Sequence, residues 1–440
     1  MRIKQISVNG LFGIFDHVIP LNMDERITII HGPNGFGKTA ILRILNSFLN
    51  SQYSDLIDIP FIKFQVEFDD SSSVEIIKNV DDGEDYDNNI VFTLCKPNYE
   101  QVSYQVKTQK PNNYKLSKII YSVGSISQRE QAYPQKYSEE IWSAYNELLP
   151  TKLKSKEEPD WLDNLKKNIH IRLIESQRLL NLVTNSYSKE ERETLPILST
   201  VSVYSDELAK LMQDKFKEYG IISQSLDRTF PLRVVKHQPS AELTDEQLRH
   251  QLNKLEATRS RLIEVGLLDK DEDTEFQIQP QDIDESTKNA LSVYVGDVEK
   301  KLSVFAEIAN KIELLRKIIN NKFAYSYKEI NFSKDKGFII TTSYNSHVSN
   351  SKLLSPTDLS SGEQHELVLL YELLFKVQPN SLVLIDEPEL SLHVGWQIQF
   401  LKDLQEITKL ADLDIMMATH SPDIIQDRWD LTVELKGPEK

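Results

Sequence analysis

The chain has 440 residues, 40% hydrophobic and 27% charged, the make-up of a globular protein large enough for two or three structural units. Its 67 acidic residues outweigh 51 basic ones, and the resulting formal charge of −16 argues against a surface built wholly as a nucleic-acid footprint while leaving room for a local basic patch. The single cysteine, Cys95, excludes an internal disulfide and a zinc cluster. The opening residues alternate apolar with polar, unlike a signal peptide, and no run is long enough to span a bilayer, so a cytoplasmic protein without membrane contact is expected.

Residues 3–9 and 17–20 read as short strands around a turn-like stretch, and Arg26 to Ile30 as a buried strand. That strand runs into Gly32-Pro33-Asn34-Gly35-Phe36-Gly37-Lys38-Thr39, which fits G-x-x-x-x-G-K-[ST] in full. Beyond it Ile41, Ile44, Leu45, Phe48 and Leu49 recur at the spacing of one helix face. Strand, glycine loop and helix together make the motif a phosphate cradle, because the helix amino end and successive backbone N–H groups point at one anion. Lys38 then supplies fixed positive charge for the β- and γ-phosphates.

Residues 62–107 alternate as strands and predict an antiparallel side sheet, with the acidic stretch 81–87 as a turn. Residues 108–167 are weakly patterned; their scattered lysines read first as solvated side chains and second as a nucleic-acid contact. Ile169 to Arg178 reads as a buried strand ending in polar residues, which brings Gln177 within reach of a γ-phosphate or a metal-bound water. Thr244 and Gln247 form a capping-box pattern ahead of the ladder Leu248, Leu252, Leu255, Leu262. A second ladder, Val298, Leu302, Phe305, Ala309, Ile312, Ile319, suggests an antiparallel helical hairpin.

The apolar run Leu382 to Ile385 ends in Asp386 and Glu387, the pattern of a buried parallel strand delivering two carboxylates to the carboxyl end of a sheet. The Thr39 hydroxyl and Asp386 can hold Mg²⁺, and Glu387 is placed to orient or deprotonate an attacking water. A last buried strand, Asp414 to Ala418, ends at Thr419-His420-Ser421-Pro422, with His420 positioned to hydrogen-bond the γ-phosphate.

Gly32 to Thr39, Leu359 to Gln364, Leu384 to Glu389, Ser391-Leu392-His393 and Thr419 to Pro422 together resemble five landmarks of the ATP-binding-cassette ATPases in their SMC, RecF and OLD-like branch: Walker A, signature, Walker B, D-loop and switch histidine. The resemblance implies an α/β P-loop NTPase, an ABC-ATPase-like head with an antiparallel side sheet and an inserted helical hairpin. It implies ATP and Mg²⁺ as ligands and hydrolysis as the activity. It also implies a homodimer in which Ser360, Ser361, Gly362 and Glu363 of one subunit complete the ATP site of the other. Three segments are expected: an amino-terminal ATPase lobe over 1–195, a helical insertion over 196–322 and a carboxyl-terminal ATPase lobe over 323–440.

The layout is similar to the ATPase subunit of the PARIS anti-phage systems. In such systems the ATPase senses a phage-derived trigger protein and controls a separately encoded, Toprim-like nuclease. A RecF-like or SMC-like ATPase gripping DNA is the alternative.

Overall fold

The paired strands β1 (Ile3–Leu11) and β2 (Phe15–Pro20) open the chain, with Ile3, Ile6, Val8 and Leu11 buried along one face. A computed structural model describes residues 1–79, 88–97, 99–108, 158–182, 197–236, 244–270, 284–343 and 352–438. The acidic stretch 81–87 and most of the lysine-containing stretch 108–157 lie outside them. The described chain forms two compact units, 1–198 with 376–440, and 199–375.

In the first unit β3 (Ile27–His31) leads through the glycine loop to α1 (Lys38–Leu49), and a short α2 (Tyr53–Asp58) follows. The side sheet expected from residues 62–107 is present. Strands β4 (Lys63–Phe68), β5 (Ser73–Asn79), β6 (Asn88–Cys95) and β7 (Val102–Thr108) extend the first hairpin antiparallel, in the order β2-β1-β4-β5-β6-β7. Strict alternation along β4 sends Phe64, Val66 and Phe68 inward, where they join Ile44, Leu45 and Phe48 of α1.

After α3 (Asp160–Asn168), β8 (Ile171–Ile174) begins the second sheet, and β9 (Leu180–Leu182) pairs separately with β10 (Ile197–Ser199). Only four of the ten residues expected as one strand from Ile169 to Arg178 pair as β8.

The second unit opens with the 37-residue α4 (Thr200–Lys236), followed by α5 (Asp245–Glu264), α6 (Glu285–Ser303) and α7 (Ala306–Phe323). The Thr244–Gln247 capping box forms as its sequence dictates. The expected pairing of the two apolar ladders is corrected in two ways. The second ladder is divided between α6 and α7 at Val304 and Phe305, where the Phe305 side chain is fully buried and its ring lies 5.3 Å from that of Tyr219 on α4. The two ladders also run parallel. Lys288 near the start of α6 meets Asp245 at the start of α5, while Arg261 and Glu264 at the far end of α5 meet Glu313 and Arg316 on α7. The antiparallel partner of α6 is α4, through Arg233–Asp297 and Lys301–Asp227.

Strands β11 (Lys328–Ser333), β12 (Gly337–Thr342) and β13 (Lys352–Leu354) form a small antiparallel sheet, and α8 (Ser361–Tyr371) runs on into a π-helical turn, Glu372–Lys376. Back in the first unit come β14 (Leu382–Asp386), α9 (Val394–Ala411), β15 (Asp414–Ala418), α10 (Pro422–Ile425) and β16 (Thr432–Glu434). The second sheet is wholly parallel, ordered β16-β3-β15-β14-β8. β14 is buried along its whole length, as a strand covered on both faces must be.

Candidate functional site

The glycine loop leaves the carboxyl end of β3 between close neighbours. Gly37 sits in the left-handed region at φ 89°, and a Cβ there would fall 2.3 Å from Leu11 Cδ2, so both backbone conformation and space demand glycine. On the other side, a Cβ on Gly32 would lie 2.8 Å from the Leu435 carbonyl, whose own N–H donates to His31 O at 2.8 Å. The Phe36 ring packs against Phe15 with centroids 4.9 Å apart, and its carbonyl lies 3.0 Å from His17 Nε2. Burial pushes the His17 imidazole below its ordinary pKa, which favours a neutral ring there.

α1 starts directly at Lys38, so its amino-terminal N–H groups face the loop. Lys38 Nζ folds back to donate to Gly32 O at 2.7 Å and Pro33 O at 3.1 Å. Burial lowers its pKa, against the opposing pull of the nearby Glu387, Glu389 and Asp386 carboxylates.

Those carboxylates arrive from β14, whose last residue stands level with Ala418 of β15. Thr39 Oγ1 donates to Asp386 Oδ1 at 2.9 Å, joining residues 347 positions apart. Burial holds the Asp386 carboxyl above the usual range, partly offset by the Thr39 hydrogen bond. The chain then kinks. Glu387 adopts a left-handed φ of 45°, its N–H donates to Ala418 O at 2.9 Å, and its side chain remains partly open to solvent. A glutamate in that conformation is strained by about 1–3 kcal/mol, a cost that concentrates at functional sites. Hydroxyl and carboxylate oxygens side by side at a strand end fit a hard cation such as Mg²⁺, which completes its shell with phosphate oxygens and water.

Gln177, read from the sequence as a third metal-site residue, has an exposed side chain. Its neighbour Arg178 is the buried one, with Nη2 3.4 Å from Pro388 O. His420 stands just past β15 with an exposed side chain, and its backbone N–H donates to Glu389 Oε1 at 2.6 Å. Sequence reasoning left Glu389 without a role of its own. The signal available was its position, three residues past Asp386 in a turn that contains Pro388. His393, in the turn after Glu389, caps α9 through Nδ1, which accepts from Gly395 N–H at 3.1 Å.

The signature stretch lies in the second unit. Ser360 and Ser361 are exposed at the amino end of α8. Glu363, grouped from the sequence with the nucleotide-binding residues, is turned inward instead and is 3% exposed. It accepts hydrogen bonds from Ser326, Lys328 and the Ser360 backbone. That is a correction with a simple cause: as the third residue of the helix, Glu363 closes a capping box and faces back toward β11.

A family model described as an AAA ATPase domain matches residues 1–425. The chain belongs to that AAA ATPase domain family. Solved structures similar to this AAA ATPase domain include three SMC heads. One is the Smc head domain with an extended coiled coil bound to the C-terminal domain of ScpA from Pyrococcus furiosus, at 15% identity over 96% of this chain and 90% of that one, with a TM-score of 0.33. Another is the SMC head domain from Thermotoga maritima, at 12% identity over 97% and 92%, TM-score 0.32. The third is an Smc head bound to the C-winged helix domain of ScpA, at 10% identity over 97% and 91%, TM-score 0.32. The fold is that of an α/β P-loop NTPase. Among the described residues no helix is long and apolar enough to cross a membrane.

Proposed function

We propose that this ATPase-family chain is an ABC-type enzyme that hydrolyses ATP to ADP and phosphate, with Gly32 to Thr39 as its phosphate loop and Glu387 as its base. The observation that carries this reading is the Thr39–Asp386 contact at 2.9 Å, which puts the P-loop hydroxyl, a buried carboxylate and the adjoining Glu387 at one end of one parallel sheet. Lys38 exchanges the carbonyls of Gly32 and Pro33 for phosphate oxygens, and the loop's N–H groups and the α1 amino end cradle the rest. Thr39 and Asp386 hold Mg²⁺, which supplies charge to screen the phosphates. Glu387 accepts the proton of the attacking water, and His420 donates toward the γ-phosphate. Gln177 senses the γ-phosphate or the metal-bound water.

Two copies share each site, Ser360, Ser361 and Gly362 of one facing the γ-phosphate bound by the other. The resemblance in layout to PARIS-type ATPases supports a role in anti-phage defence, with ATP state governing a separate nuclease that a phage protein releases. Co-expression with neighbouring genes and phage challenge tests that role. Protection requiring Lys38, Glu387 and a neighbouring nuclease is the expected result, whereas salt-sensitive DNA binding with a repair defect on deletion would favour the DNA-gripping reading. The chemistry is tested by Glu387→Gln, which should keep ATP binding and trap the ATP-bound dimer; wild-type turnover by that variant would remove Glu387 as the base.

A further inference from the structure

Glu363 satisfies more partners than a capping residue requires. Its Oε2 accepts from the Ser360 N–H at 2.7 Å and from Lys328 Nζ at 2.7 Å, and its Oε1 accepts from Ser326 Oγ at 2.7 Å. An ordinary capping box leaves the glutamate in water. Here its side chain is 4% exposed and that of Lys328 18%. Burial raises the Glu363 carboxyl's pKa, but donation from Lys328, Ser326 and Ser360 outweighs it and holds the group below its ordinary value. One turn further along α8, Glu366 meets Lys322 of α7 in an ion pair with both side chains fully buried. Gln364, between them, donates to the carbonyls of Leu359 at 2.8 Å and Thr357 at 3.3 Å, which ties the short helical turn Pro356–Asp358 to the start of α8.

We propose that Lys328, acting through Glu363, is the positioning residue of the signature loop, with Lys322–Glu366 as its second anchor. This rests on the reading that Ser360 serves an ATP site on another copy. Two physical effects follow from one contact. The ammonium fixes the carboxylate that holds the Ser360 backbone, so Ser360 is presented in one geometry. It also neutralises Glu363, whose negative charge beneath the amino end of α8 would otherwise oppose an arriving phosphate and cancel part of the helix dipole. Neither Lys322 nor Lys328 belongs to any of the five motifs; the fold brings both against α8.

The test is Lys328→Met in the full chain, with Lys328→Arg as the conservative control. A structural defect would lower nucleotide affinity and turnover together. A positioning defect leaves binding of a fluorescent ATP analogue at the variant's own P-loop unchanged while kcat falls roughly 10- to 100-fold, the scale for a misplaced reacting group. Lys328→Arg should recover most of the rate. Mixing separates the two halves of the site. Lys328→Met with Lys38→Ala should regain turnover, since one composite site then has both an intact P-loop and an intact signature, whereas Lys328→Met with Ser360→Arg should not.

Wild-type kcat in Lys328→Met, loss of analogue binding, or recovery with Ser360→Arg would overturn the proposal. The control pair Lys38→Ala with Ser360→Arg tests the shared site itself. Failure of that pair to recover, with mixed dimers shown to form, would sink the shared-site reading, and is distinguishable because it does not involve Lys328.

Discussion

The His420 backbone N–H donates to Glu389 Oε1 at 2.6 Å, so the turn after β14 and the turn after β15 are held together by one carboxylate. Glu389 Oε2 is buried and accepts no hydrogen bond among the described residues. Glu389→Gln keeps an acceptor for the His420 N–H, and Glu389→Ala removes it. Turnover is expected to fall about tenfold or more in the alanine variant, the cost of losing one well-placed charge-assisted hydrogen bond, and to survive largely in the glutamine variant. Steady-state ATPase assays compare the two, and equal loss in both would mean that the charge of Glu389, not its grip on His420, matters.

Two glycines of the phosphate loop should respond differently to alanine. A Cβ on Gly35 meets nothing within 4 Å, whereas one on Gly37 meets Leu11 Cδ2 at 2.3 Å, and both residues have positive φ. Gly35→Ala should therefore cost about 1 kcal/mol through backbone strain alone, and Gly37→Ala clearly more, because Leu11 must also move. Denaturant unfolding without nucleotide measures the difference.

The burial of Asp386 costs the fold stability at neutral pH. Its folded pKa is raised by burial above the ordinary 3.8, so its contribution favours the folded state below the unfolded pKa and is lost as pH rises through the folded one. At neutral pH its ionisation therefore destabilises the nucleotide-free protein. Asp386→Asn keeps an acceptor for Thr39 and should raise the thermal midpoint without nucleotide, yet lose the further rise expected of the wild type on adding Mg²⁺ with ATP. A lower midpoint in the asparagine variant would contradict this account.

Lys322 and Glu366 form an ion pair with both side chains fully buried. Removing one partner strands a buried charge, so Lys322→Met should destabilise the second unit by about 3–5 kcal/mol. The double variant Lys322→Met, Glu366→Leu should recover most of that loss, since well-packed apolar replacements of a buried pair are often neutral. Differing responses in turnover would show whether the pair also serves the signature loop.

The parts of the fold that sequence made legible are those where a local pattern has one physical solution. Alternation from Phe64 to Phe68 became β4, and the run Leu382 to Ile385 became the fully buried β14. Long-range placement was not legible. The ladders from Leu248 and from Val298 carry helix periodicity but no sign of relative direction, so their parallel arrangement emerged only from pairs such as Arg261–Glu313. Glu363 shares a motif with Ser360 to Gly362 and is expected from sequence to act with them; its inward turn comes from the capping box together with Lys328, 35 positions away. Three-residue β16 is too short for any period, and it forms because β3 offers it a parallel edge.

The parallel sheet has a consequence for synthesis. Arg26 beside β3 bonds to Asp414 of β15 across 388 positions, and β3 pairs with β15 and β16. At usual ribosomal speeds, roughly 5–20 residues per second, the phosphate loop waits about 20–80 s before the strand that flanks it is made. During that interval the apolar strand Ile27–His31 has no partner from the later lobe. Nascent chains stalled before residue 414 should therefore retain no ATP on affinity capture and should associate with holdase chaperones, whereas chains extended past β16 should bind nucleotide.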